Sequence, residues 1–246
     1  MPAREERPPL RIVVSDPQAG SKVVKVKVKG VEDESLPYTD SMKKTKEQER
    51  SELPRAKVNP KLVAELGLDK VGVMTLRFKS EGSKTNVPFR VVSDPSVPEG
   101  EVWVNKSLLA EVAGAEEAEA EAFRAKAWQI AVPEDVHIRL AGLKIGDVFD
   151  GVLIGMPGVQ LKITGGTDAS GFPMHPGVPG SVRKKVLLSG PPGFHPTKRG
   201  ERRKKTVRGN RIPDPRAERR KTALAQLNVV VYYPQQEQKQ SEAAAA

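Results

Sequence analysis

Between residues 181 and 222 the chain carries 15 Lys and Arg against three Asp and Glu, and at its centre runs GPPGFHPTKRGERRKKTVRGNR, with two adjacent prolines, several glycines and almost nothing apolar. A segment of that composition is expected to bury no core of its own, and its charge calls for a polyanionic partner. The rest of the chain holds no such excess. Lys and Arg against Asp and Glu number 7 to 3 over residues 1–30, 15 to 20 over 31–135, 3 to 3 over 136–180 and 1 to 2 over 223–246, for a net +10. The basic window alone therefore exceeds the whole surplus, while the middle of the chain is acidic and suited to solvent.

With 246 residues the chain has room for two modest domains. Cysteine is absent, which excludes a disulfide frame and a thiolate metal site and fits an intracellular setting. MPAREERPP has no apolar core of signal-peptide type, and LNVVVYY falls far short of the ~20 residues of a membrane span. A soluble protein without a membrane partner is expected.

LRIVVSD and SKVVKVKVKG read as two strands joined at DPQAG, since β-branched residues cluster in both and the second alternates Val with Lys. That alternation puts Lys25, Lys27 and Lys29 on one face, suited either to phosphate or, more commonly, to solvent. Residues 31–55 turn polar and read as a linker or a partly helical excursion. An internal echo follows. VNPKLVAELGL starts at Val58 and VNKSLLAEVAGA at Val104, each with an Asn placed to cap a short helix. Each copy then meets an apolar run, VGVMTLRF in the first and WQIAV in the second, where GAEEAEAEAFRAKA intervenes and is expected to be helical. Residues 56–134 accordingly read as a compact, β-rich, pseudo-twofold insert.

Beyond it, VHIRLAGLKIGDVFDGVLIGMPGVQLKITGG resumes a glycine-punctuated β pattern, with strands expected at 148–154 and 160–164 and another, RKKVLLS, at 183–189. Short strands with glycine corners suit a small barrel. Asp214 and Pro215 look like the N-cap and first residue of a helix PRAERRKTALAQL, LNVVVYY like a closing strand, and the tail like a disordered or frayed segment.

The stretch KITGGTDASGFPM contains Gly165, Gly166, Asp168, Gly171 and Pro173. It matches neither the phosphate-binding G-x-x-x-x-G-K-[ST] string nor the dinucleotide G-x-G-x-x-G spacing. Asp168 stands alone where a calcium loop needs carboxylates at alternate positions. An RNA-processing enzyme or nuclease built from Asp147, Asp150 and Asp168, with His175, is the alternative reading, but Asp beside Gly more often closes a turn on its own backbone. His137, His175 and His195 have no spacing that pairs them on a helix face, so neither metal nor cofactor is expected. His195 suits stacking on a nucleotide or simple exposure. The favoured reading of the GG stretch is a rigid corner that aims the basic arm, ahead of one that lays backbone N–H groups on phosphate.

The run ITGGTDASGFPM, continued by PGVPGSVRKKVLLSGPPGFHPTKRGERRKKTVRGN and preceded by LAGLKIGDVFDGVLIGMPGVQLKITGG, resembles ribosomal protein S-six of the archaeal and eukaryotic type, from the small ribosomal subunit. The resemblance covers residues 10–30 and 136 to about 231. It implies a non-catalytic, cytoplasmic ribosomal component with a small N-terminal β-barrel and a basic C-terminal arm on ribosomal RNA, among neighbouring ribosomal proteins. It also implies a short connection after the second strand, where about a hundred residues intervene here; that insert resembles the paired halves of a double-psi-type barrel and is assigned an unknown protein partner. The serine-rich regulatory tail of animal members has no counterpart in QQEQKQSEAAAA.

The expected layout is thus mainly β. A flexible extension spans 1–9, a ribosomal β-barrel domain 10–30 with 136–190, a linker 31–55, an inserted acidic α+β domain 56–134, a basic arm with a helix 191–233, and a disordered tail 234–246. RNA contacts are expected from Arg183, Lys184, Lys185, His195, Lys198, Arg199, Arg202, Arg203, Lys204, Lys205, Arg208, Arg211, Arg216, Arg219, Arg220 and Lys221. Arginine's planar fork and lysine's point charge both match phosphate, and the intervening glycines allow close backbone approach. Free of RNA, the arm is expected to be a solvated tail that orders on binding.

Overall fold

The computed structural model describes residues 9–43, 50–80, 83–218 and 222–234. In chain order the regular elements are β1 (Leu10–Ser15), β2 (Val23–Val31), β3 (Arg55–Val58), α1 (Pro60–Leu66), β4 (Val73–Ser80), β5 (Ser83–Ser93), β6 (Glu101–Asn105), α2 (Lys106–Ala113) and β7 (Glu117–Arg124). They continue with β8 (Ala127–Val132), α3 (Glu134–Leu140), β9 (Val148–Asp150), β10 (Gln160–Asp168), β11 (Arg183–Leu188), β12 (Arg203–Arg208) and β13 (Leu224–Val231). The chain divides into two units, Asp16–Ile130 and the remainder.

The Asp16–Ile130 unit is a closed six-stranded barrel in the order β2-β6-β3-β5-β4-β7. Exchanging β3 with β6, α1 with α2, β4 with β7 and β5 with β2 maps the set of pairings onto itself: parallel β2·β6 and β3·β5 exchange, antiparallel β2·β7 and β4·β5 exchange, and antiparallel β3·β6 and β4·β7 each map onto themselves. The echoed Asn residues sit at equivalent places. Asn59 Oδ1 accepts from Lys61 N at 3.0 Å and Asn105 Oδ1 from Ser107 N at 2.9 Å, each capping its helix, while their amide nitrogens donate to the Val97 and Leu36 carbonyls. Each helix ends on a glycine in the left-handed region, Gly67 and Gly114. Val26, Val28, Met74, Leu76, Phe89, Val102, Val104 and the two helices' Leu62, Leu108 and Leu109 fill the interior.

Several expectations change here. β2 belongs to the barrel rather than pairing with β1, because its Val26 and Val28 are buried there and it completes the closure between β6 and β7. The segment read as a helix, GAEEAEAEAFRAKA, contributes β7. Its strict alternation sends Ala120 and Ala122 inward and sets Glu117, Glu119 and Glu121 opposite Lys29, Lys27 and Lys25, so cross-strand pairing overrides the helix preference of Ala and Glu. The three β2 lysines are therefore matched by carboxylates. β7 is the second copy's strand, and WQIAV is β8, an edge of a different sheet. Within the supposed linker, Leu36 and Met42 are buried and Tyr38 Oη donates to Glu111 Oε2 at 2.6 Å, so much of 31–55 is packed structure.

The other unit centres on a five-stranded sheet, β8-β1-β13-β10-β9, with β1 parallel to β13 and β10 antiparallel to both β13 and β9. It is an open sheet where a barrel was expected. Leu10, Ile12 and Val14 alternate inward from β1, as do Leu161 and Ile163 from β10 and Leu227, Val229 and Val231 from β13. A separate antiparallel hairpin, β11 with β12, stands beside its own small core of Val178, Leu188, Phe194 and Val207. The basic segment therefore does bury side chains and is regular over Arg203–Arg208, not a free tail. The expected helix after Asp214 is a single 3-10 turn, Pro215–Ala217, capped by Asp214 Oδ1 on Arg216 N at 2.8 Å; Leu224 onward is strand. Expectations for residues 1–8 and 235–246 fall outside the described residues.

Candidate nucleic-acid interface

The GG stretch is the end of a strand and the turn that follows it. β10 shifts register against β13 between Ile163 and Gly165 and again between Thr167 and Asp168. A methyl group on Gly166 would stand 2.7 Å from the Gln226 carbonyl oxygen and 2.9 Å from Met174 Sδ, so only glycine lets the strands approach there. Asp168, 3% exposed, closes the turn. Its Oδ1 accepts from Ser170 N at 2.9 Å and Phe172 N at 3.0 Å. Gly171 takes the left-handed conformation, and Pro173 forms an isolated bridge with Thr167 and accepts from Arg208 N through its carbonyl at 2.9 Å.

The other carboxylate oxygen reaches the basic segment. Asp168 Oδ2 accepts from Arg183 Nε at 2.7 Å, with Arg208 Nη1 3.8 Å away, and the Arg183 guanidinium lies 4.7 Å from the centre of the Phe172 ring. Arg208 is 1% exposed and donates to the Thr222 carbonyl and to Glu218 Oε1, while Glu218 Oε2 accepts from Leu224 N. Arg208 is therefore committed inside the unit and leaves the RNA-contact set. Arg183 is partly committed in the same way. Backbone bonds tie down the next residues: Gly209 N to Val182 O, Asn210 N to Val178 O, Arg211 N to Gly180 O and Ile212 N to Leu143 O.

Around this pinned end the remaining cations face outward. Lys184, Lys185, Lys198, Arg199, Arg202, Arg203, Lys204, Lys205, Arg211 and Arg216 are all exposed, as is His195; Arg219, Arg220 and Lys221 lie outside the described residues. The window's three carboxylates are all engaged, only one of them with an outward cation. Glu201 accepts from the Thr197 N–H and hydroxyl, which hold its carboxyl below the usual range, and it pairs with Arg203. Asp214 caps the 3-10 turn, and Glu218 binds Arg208. The unit holding this surface carries 22 Lys and Arg against 12 Asp and Glu, whereas the barrel unit balances at 19 against 19, so the whole +10 lies on the former.

The carboxylates of the alternative reading do turn chemistry. Asp147 Oδ2 accepts from Lys144 N at 2.9 Å and Asp150 Oδ1 from Val152 N at 3.0 Å, each within its own loop. His175 Nδ1 accepts from Gly177 N, and His137 is buried in α3 against the Pro213 carbonyl. Among the described residues no group of His, Asp and Glu is arranged to hold a metal ion, and no helix is long and apolar enough to cross a membrane. The buried Arg208–Asp168–Glu218 network was not legible in the sequence. The only signal for it was that Arg208 directly follows Val207, the one apolar residue other than proline between Phe194 and Ile212.

The family profile described as Ribosomal protein S6e matches residues 120–242. The small ribosomal subunit protein eS6 of Aeropyrum pernix is 65% identical over 235 residues, 95% of this chain and 99% of that one. Those of Hyperthermus butylicus and Saccharolobus solfataricus are 49% and 47% identical over 94% and 91% of this chain, and 100% and 99% of their own. Alignments of that extent include the barrel unit, which these relatives share. Among solved structures, the rationally designed mkDPBB_sym1 protein is similar with a TM-score of 0.30 and 18% identity, over 42% of this chain and all of that one.

Proposed function

The chain belongs to the ribosomal protein S6e family, as a structural component of the small ribosomal subunit rather than an enzyme, and within that role we propose that it binds ribosomal RNA through the exposed cations between Lys184 and Arg216. The observation that carries the reading is ten exposed cations against three carboxylates, two of them committed within the fold and one paired with Arg203, which leaves the surface of this segment positive. Phosphate recognition needs no more than this, and His195 adds a ring within the same exposed loop. Asp168 and the glycines around it act as the corner that fixes where the basic face begins.

Filter binding of the full chain to small-subunit RNA across a salt series tests this. If about eight cations neutralise phosphates, log K falls against log salt with a slope of about −6 to −7. A slope shallower than about −2 would remove the proposal. For the barrel unit we propose a surface for solvent or a protein neighbour, supported by its balanced charge and by the pairing of Lys25, Lys27 and Lys29 with glutamates.

A further inference from the structure

The β11–β12 hairpin has two unlike faces. Register places Val186, Leu188 and Val207 on one of them, packed with Val178 and Phe194, together with Lys184, Lys205 and Arg203, whose side chains stay exposed. The opposite face begins at the Arg183–Arg208 pair held by Asp168 and runs outward through Lys185, Thr206, Leu187 and Lys204. Leu187 pairs directly with Lys204 and is 57% exposed, Lys185 and Lys204 are exposed, and Thr206 is half-buried. A single exposed leucine is ordinary on a protein surface. Here, however, the leucine adjoins both lysines, two residues along the strand from Lys185 and directly across from Lys204, so a polyanion that meets both lysines lies against it.

Resting on the RNA-binding reading above, we propose that this face of the hairpin lies against the minor groove of an RNA double helix, with Lys185 and Lys204 on phosphates and Leu187 and Thr206 on the groove floor. The composition of the face fits that partner. A-form RNA has a deep, narrow major groove that side chains cannot read and a wide, shallow minor groove lined with ribose carbons and 2′-hydroxyls. Leu187 supplies an apolar surface for the sugars, and Thr206 a hydroxyl that both donates and accepts. A single strand fits poorly, because stacking needs an aromatic ring and this face has none: Phe172 lies beneath Arg183 and Phe194 is 6% exposed.

The test uses the full chain with three probes of one sequence: an RNA duplex of about 16 base pairs, the corresponding DNA duplex and one RNA strand. Leu187→Ser is expected to weaken RNA-duplex binding about five- to tenfold, to change the single strand and DNA duplex less than about twofold, and to leave the salt slope and thermal unfolding unaltered. Lys204→Gln is expected to make the slope shallower by about 0.7–0.9. Unchanged RNA-duplex affinity in Leu187→Ser, or an equal loss on all three probes, overturns the proposal. So does impaired subunit incorporation of that variant with RNA-duplex affinity intact, which would give the leucine to a neighbouring protein. If Lys204→Gln behaves as expected and Leu187→Ser does not, this inference alone falls; if the parent chain binds none of the RNAs, the RNA-binding reading falls with it.

Discussion

Asp168 serves two arginines and two backbone N–H groups from a site that water does not reach. Asp168→Asn keeps the shape and removes the charge, leaving Arg208 among fewer acceptors. We expect a loss of about 2–3 kcal/mol, smaller than for a fully buried pair because the Arg183 side chain remains 25% exposed, and chemical denaturation measures it. His137 gives a pH signature. Burial, opposed by its bond to the Pro213 carbonyl, holds its pKa below the ordinary 6.5, with Asp214 and Glu134 on the raising side and Arg208 on the lowering side. Its unfolded form takes up a proton first, so its contribution is complete above about pH 6.5 and is lost as pH falls from there through the folded value. In His137→Gln that part of the stability–pH curve should flatten; an unchanged curve would contradict the assignment. Asp168 was legible as a turn former from its glycine neighbours. Its ion pairs were not, since Arg183 and Arg208 read identically to the cations beside them, and only the packing of Val207 turns its neighbour inward.

The two helix caps of the barrel are related elements and should respond alike. Asn59→Ala and Asn105→Ala each remove one bond to a helix N–H and one to a distant carbonyl, so each should cost about 1–2 kcal/mol in thermal unfolding. A large cost at one and none at the other would deny that the halves are equivalent. Repeated VN dipeptides ahead of helical patterns made these caps readable in the sequence, because capping depends on the few residues that follow. β7 was harder to read. Ala and Glu both favour helix, and the deciding facts are the Lys-bearing strand whose paired residues lie 88–100 positions earlier in the chain and the burial of Ala120 and Ala122 in the barrel interior. Its period-two alternation was the available clue.

At the scale of the whole molecule, the barrel is entered and left at adjacent points: Asp16 N donates to Lys126 O at 2.9 Å. Replacing 17–125 with a short glycine linker should therefore leave the β8-β1-β13-β10-β9 sheet able to form, with circular dichroism and RNA binding retained. Removing 36–134 should instead yield an insoluble chain, because it deletes edge strand β8 and strands β2 without partners. Solubility of both deletions would count against the division into units. The sequence by itself determined where the charge lies, which segments carry the family resemblance, and that a duplicated unit interrupts them, since composition and local patterns depend only on neighbouring residues. Tertiary structure alone decided that β2 belongs to the barrel, that Ala-Glu alternation becomes strand, and that the basic segment is stitched into the fold with Arg208 inside. Each of those outcomes is set by a partner distant in the chain, whose pairing free energy exceeds the local preference.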